Sequence, residues 1–136
     1  MMMNFDAAGR EACVVRELRT NTPLQSLDLM NDVIFLEAAR ALSGRMLREG
    51  SESPSRRIAY GFELATARPP TPRESEILMA DFRYYLDAFR TDQASAAKYI
   101  HIGDETASKV NDASEMAAYM TVASMILNLD VTVTKE

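Results

Sequence analysis

Met116-Ala117-Ala118-Tyr119-Met120-Thr121-Val122-Ala123-Ser124-Met125-Ile126-Leu127-Asn128-Leu129 is a run of 14 residues without a charge. Met116, Met120, Ala123 and Leu127 fall at core-facing helical spacing, and Tyr119, Val122 and Ile126 widen that face. The run is too short for a bilayer, which takes about 20 apolar residues, and Thr121, Ser124 and Asn128 make it too polar. A helix apolar around so much of its circumference belongs in the middle of a bundle. Asp112 or Ser114 can cap its start, and the β-branched Val131-Thr132-Val133-Thr134 disfavours its continuation. The predicted class is therefore all-α, an irregular bundle of five or six helices around a buried C-terminal helix.

Upstream, helix punctuation repeats. Thr22 followed by Pro23 is a cap with proline at the first helical position, opening a short helix to about Met30. Asn31 or Asp32 caps the next helix, with Phe35, Ala39, Leu42 and Met46 on the core side and Glu37, Arg40, Arg45 and Arg48 on the other. Gly50 is expected to end it in a left-handed conformation. Ser53-Pro54 opens a third helix with Ile58, Gly61, Phe62 and Ala65 on one face. Since a mid-helix glycine costs about 1 kcal/mol, Gly61 marks either a close helix approach or simple tolerance. Arg68-Pro69-Pro70 breaks this helix. Thr71-Pro72-Arg73-Glu74 then reads as a capping box. The following helix presents Leu78, Phe82, Tyr85 and Phe89, with Arg83 and Asp87 at ion-pair spacing. Asp92 caps a shorter helix through Ala96, Ala97 and Ile100, ending at Gly103, and 104–112 reads as a loop. Residues 11–18 suit a short strand or extended arm, so the single domain 1–136 divides into an arm, 1–20, and a helical body, 21–136.

Composition narrows the function. The 136 residues, 47% hydrophobic and 26% charged, suit one domain with a packed core rather than a disordered chain. A net charge of −5 opposes general nucleic-acid binding, which needs a basic surface. Charge is uneven: 40–57 holds five arginines against two glutamates, and 104–136 holds two lysines against six acids. That pattern describes solvated helix faces or a dipolar docking surface. The single cysteine, Cys13, cannot form an internal disulfide. The N-terminal residues lack a secretion signal's basic and apolar segments, so a complete chain is expected in the cytoplasm.

Catalytic signatures are absent from the sequence. A zinc site needs three or four Cys or His ligands, and only Cys13 and His101 are present. Covalent haem attachment, the Glu-x-x-His pairs of di-iron bundles, phosphate-binding glycine loops and nucleophile elbows are likewise missing. No cofactor is expected in this chain. A Cys13–His101 dyad is formally available, but a small buried Cys and a His at a helix end are the ordinary readings. Carboxylate pairs from Asp28, Asp32, Glu37 or Glu63 occur in any acidic helical protein, and the nine methionines suit a core better than a groove. The polar clusters Thr20-Asn21-Thr22 with Gln25, Asn31-Asp32, and Asn128 with Asp130 can lock backbone or bind a ligand. They and Arg68 form the candidate site list.

Those motifs also carry a likeness. Arg19-Thr20-Asn21-Thr22-Pro23-Leu24-Gln25, Leu29-Met30-Asn31-Asp32, Glu37-Ala38-Ala39-Arg40-Ala41-Leu42, Arg68-Pro69-Pro70-Thr71-Pro72-x-Glu74 and Leu127-Asn128-Leu129-Asp130, in that order, resemble the C-terminal part of a planctomycete-type domain of unknown function. That domain closes long multidomain proteins carrying a planctomycetal cytochrome c domain. The family commonly has Gly, Trp and Glu where Ala67, Tyr119 and Val131 stand here. The resemblance implies a helical C-terminal module, extracytoplasmic in the long relatives, with haem only in an upstream domain; it implies no reaction. The expected function is a structural or interaction module, with a protein partner or homo-oligomer and self-association through the face near Thr22 to Leu36. The alternative is a glycan-active or other hydrolytic enzyme using Asn21, Gln25, Asn31 and Asp32. A haem-binding bundle resting on His101 and the methionines is a third reading.

Overall fold

The computed structural model describes residues 33–102, 112–129 and 132, and every element among them is helical. Five helices follow in order: α1 Val33–Glu49, α2 Pro54–Thr66, α3 Pro72–Thr91, α4 Gln93–Ile100 and α5 Ala113–Leu127. The all-α class holds. The arm 1–20, the short helix before Met30, the caps at Asn31 or Asp32, and the loop 104–111 lie outside the described residues.

Helix α5 is the hub, packing against each of the other four. Met116, Ala117, Ala118, Tyr119, Met120, Val122, Ala123 and Ile126 are all buried, together with Ser114. Its position follows from composition, because fully burying a large apolar side chain is worth roughly 1.5–3 kcal/mol and this helix has no charged face to keep wet. Around it, Ala39 and Met46 of α1, Ile58 and Phe62 of α2, and Leu78 and Phe82 of α3 complete the main core. Phe82 lies against Tyr119 with ring centroids 4.5 Å apart. A smaller cluster joins Ala96 and Ile100 of α4 to Met116 and Ala117, bridged by Phe89 and Tyr99, whose rings stack at 5.8 Å.

Local chemistry sets the ends. Asp112 caps α5 by accepting from the N–H groups of Ser114 and Glu115. Thr71 and Glu74 form the complete capping box of α3, as the sequence predicts. Asp92 ends α3 and opens α4, accepting from Ser95 N–H at 3.0 Å and Ser95 Oγ at 2.6 Å. Ser53 has the extended backbone of a cap, yet its side chain accepts no cap bond; Pro54 alone marks the start of α2.

Four expectations change in detail. On α1 the buried line runs Ala39, Ser43, Met46, with Phe35 and Leu42 half-buried. Ser43 is tolerated there because Oγ donates to the Arg40 carbonyl at 2.8 Å and lies 3.6 Å from Met116 Sδ. Arg40, expected on the solvent side, is half-buried and donates to the carbonyl of Ile102, tying α1 to the end of α4. Helix α4 ends at Ile100, where His101 caps it, before Gly103 is reached. Gly50 does end α1, but its φ lies outside the left-handed region; a Cβ there would stand 2.3 Å from the Met46 carbonyl and 2.8 Å from Arg57 Cγ. Close passage of the chain, rather than handedness, requires this glycine.

The left-handed position belongs to Ala67, at φ 58° and ψ 20°, the only non-glycine residue with positive φ among those described. It terminates α2, its N–H bonding the Glu63 carbonyl at 2.9 Å. Gly61 sits where α2 meets α1. A Cβ there would come within 2.6 Å of Met46 Sδ and 2.8 Å of Met46 Cγ, so close approach is the reading that holds.

Candidate functional site

Two of the sequence-derived site residues, Arg68 and Asn128, fall among the described residues. Thr20, Asn21, Thr22, Gln25, Asn31, Asp32 and Asp130 lie outside them, as does Cys13.

Arg68 follows the left-handed turn at Ala67, which swings the chain from α2 toward α3. Its guanidinium binds Glu74 through both ends, NH1 to Oε2 at 2.9 Å and NH2 to Oε1 at 2.7 Å. The same plane lies over the Phe62 ring, 4.9 Å from its centroid, and NH1 also donates to the Pro69 carbonyl at 3.2 Å. Glu74 in turn accepts the Thr71 N–H at 2.7 Å, closing the capping box. Arg68, followed by the Thr71 N–H, holds the Glu74 carboxyl down at about 2. Thr66 Oγ donates to the Phe62 carbonyl at 2.8 Å and accepts from the Arg68 N–H at 3.4 Å. The arrangement fixes a corner: two helices, one turn and one aromatic face are joined through a single planar cation. Arg68 and Glu74 are about one-third exposed, so solvent screens their ion pair and its role is to fix geometry more than to add stability.

Asn128 stops α5. Its N–H reaches the carbonyls of Ser124 and Met125, each at 3.1 Å, in the tightened turn common at helix ends. Thr132 prolongs the arrangement, its N–H on the Leu129 carbonyl at 2.9 Å and its hydroxyl on the Ile126 carbonyl at 2.8 Å. The C-terminal motif, as far as it is described, satisfies orphan carbonyls.

Two charge clusters lie outside the candidate list. Arg57 Nε donates to the Ser51 carbonyl at 2.9 Å, its NH1 bonds Glu115 Oε1 at 3.0 Å, and its guanidinium lies 5.8 Å from the centre of the buried Tyr119 ring. Burial pushes the Tyr119 phenol up, and the neighbouring Arg57 pulls it partly back. On the surface, Arg45 meets Glu49 at 2.9 Å, and the Tyr60 hydroxyl donates to the same carboxylate. Arg45 and then Tyr60 hold the Glu49 carboxyl at about 2. Arg45 and Glu49 stand at helical ion-pair spacing, a signal legible in sequence; Arg57 and Glu115 are 58 residues apart and give none.

His101 is exposed and caps the C-terminus of α4, its N–H bonding the Lys98 carbonyl at 3.2 Å, in keeping with a His at a helix end. Among the described residues, no group of three or more His, Cys, Asp or Glu side chains stands close enough to hold a metal ion. No helix among them is long and apolar enough to cross a membrane. What these side chains do chemically is cap, clamp and orient.

No curated protein and no solved structure is detectably similar to the chain. A family likeness exists over 1–81, a span holding the motifs from Thr20 to Glu74 and stopping midway along α3, before the Leu-Asn-Leu-Asp motif. The matching family is PSD1, described as a protein of unknown function (DUF1553), and the chain belongs to it.

Proposed function

We propose that this chain is a structural or interaction module rather than a catalyst. The observation that carries the reading is the state of Arg68: the most reactive-looking group of the motif list has both terminal nitrogens on Glu74, NH1 also on the Pro69 carbonyl, and one face on Phe62. A guanidinium so engaged has little left to offer a substrate, whereas it is well placed to hold a corner rigid. Asn128 supports the same reading from the other end, as a helix stop. The long planctomycete proteins that the sequence resembles supply the setting, a helical unit closing a larger envelope protein.

The test is turnover. The purified chain is assayed against chromogenic glycosides and esters alongside its Arg68→Lys and Asn128→Ala variants. The module reading expects rates at the buffer background for all three. Turnover that survives purification and drops in either variant, with helical circular dichroism unchanged, overturns it.

A further inference from the structure

Helix α3 has two apolar faces. One holds the buried Leu78 and Phe82. The other faces solvent: Ile77 is 53% exposed and Tyr84, edge-on to Tyr85 of its own helix at 5.2 Å, is 69% exposed, and the exposed Ala80 and Ala88 complete a line at i, i+3, i+7 and i+11. Beside this line stand Arg73, Glu76, Arg83 and Asp87, all exposed. None of the four joins an ion pair within the described residues, where the pairs are Arg45–Glu49, Arg57–Glu115 and Arg68–Glu74. The spacing of Arg83 and Asp87 suits a bond along the helix, yet they do not make one.

We propose that the outer face of α3 pairs with the same face of a second copy of this chain, antiparallel, across a two-fold axis at Ala80. The inference rests on the module reading and names its partner. Charge selects both the partner and the direction. About a two-fold axis at Ala80, Arg73, seven residues before, meets Asp87 of the other copy, seven after. Glu76, four before, meets the turn holding Arg83 and Tyr84, three and four after. Glu76, Arg83 and Asp87 lie on one flank of the stripe, and in an antiparallel pair each flank meets its own counterpart, so opposite charges face twice over by symmetry. Parallel pairing would set Arg73 on Arg73 and Asp87 on Asp87. Ala80 at the crossing lets the axes approach toward the near end of the roughly 8–10 Å range, bringing Ile77 and Tyr84 onto the partner helix. Asp81, on the opposite flank, lies near its own counterpart and opposes the contact weakly. A single helix pair buries less than a standard interface of about 1,200–2,000 Å², so the dimer is a weak one.

Sedimentation equilibrium of the 136-residue chain, from micromolar to millimolar, tests this with Arg83→Glu and Glu76→Arg. Each variant places like charges across the axis, and each alone is expected to associate at least about tenfold more weakly than the unmodified chain. Mixed one to one, the variants restore opposite charges on both sides, and association returns to within about threefold of the original. Thermal melting by circular dichroism confirms that the variants remain folded. A chain that stays monomeric throughout overturns the inference and leaves this face to a different partner. A dimer that ignores both substitutions, or a mixture no tighter than either variant, overturns it as well and moves self-association to another face, such as that of Val33. Either result leaves the module reading standing, since that depends on turnover.

Discussion

Replacing Ala67 by glycine should make this protein more stable. Ala67 ends α2 at φ 58°, where its Cβ crowds the following carbonyl, and an L-residue with a side chain gives up roughly 1–2 kcal/mol there relative to glycine. Glycine gives back part of that gain, about 0.4–1 kcal/mol, through the greater freedom of its unfolded chain. The methyl group is exposed, so its loss opens no cavity. The Ala67 N–H bond to the Glu63 carbonyl needs only the backbone and remains. The net expectation for Ala67→Gly is about 0.5–1 kcal/mol of added stability, or a rise of roughly 2–5 °C in Tm for a domain of this size. Urea unfolding followed by circular dichroism measures it, with an unchanged slope showing that the surface exposed on unfolding is the same in both proteins. Ala67→Val is the opposing control, because a β-branched residue suits the left-handed region worse and should lower the midpoint. If Ala67→Gly leaves the midpoint unchanged or lowers it, the left-handed turn is not where α2 loses stability.

Three further outcomes follow from the same geometry. Thr71→Ala should cost about 1 kcal/mol, since its side chain closes a capping box, whereas Ser53→Ala should change stability by only a few tenths because its hydroxyl makes no cap bond; paired urea titrations separate them. Gly61→Ala should destabilise by about 1 kcal/mol, because overpacking against the fully buried Met46 outweighs a helix-propensity gain of about 1 kcal/mol; in a Met46→Ala background the same change should become stabilising, and a double-mutant cycle reads that reversal. Glu74 and Glu49, each held at about 2 against an ordinary value of 4.5, contribute stability that is fully present above the ordinary value and lost as pH falls from there toward 2. Urea midpoints between pH 6 and pH 3 should therefore decline with acid, and Glu74→Gln should flatten that decline; an identical slope in the variant would remove Glu74 from the account.

The parts of this fold legible in sequence are those set by a few neighbouring residues. A capping box is complete within four positions, and Thr71 and Glu74 behave as their spacing requires. The charge-free run is equally plain, because nine of its helix's residues are buried and any charge there would need a partner. Periodicity gives the face of α1 but not its centre, which shifts to Ser43 because a hydroxyl can bond its own helix and so tolerate burial. Gly50 is legible as a stop, though not for its actual reason: a side chain there would meet the Met46 carbonyl of its own helix and Arg57 of the next. The corner at Arg68 illustrates the limit for function. Its Arg-Pro-Pro-Thr-Pro-x-Glu spacing is visible, but the stacking on Phe62 depends on a turn at Ala67 that no residue preference announces, and without it Arg68 reads as a free binding group. Most of the remaining candidate list, from Thr20 to Asp32 with Asp130, lies outside the described residues.

A bundle organised in this way separates its faces. Helix α5 contacts all four of the other helices and buries its residues on every side, so a change there is read as packing whatever else the protein does. The corner residues Arg68, Glu74 and Thr71 are bound to one another, and their substitution reports on the angle between α2 and α3. What remains is the outer surface, where side chains contribute little to folding and are correspondingly free to be chosen for something else. On α3 that surface carries Ile77 and Tyr84, large exposed apolar groups two turns apart on one line of the helix. The inner half of α3 explains its presence in the fold; the outer half is where an interaction can be encoded without cost to the core.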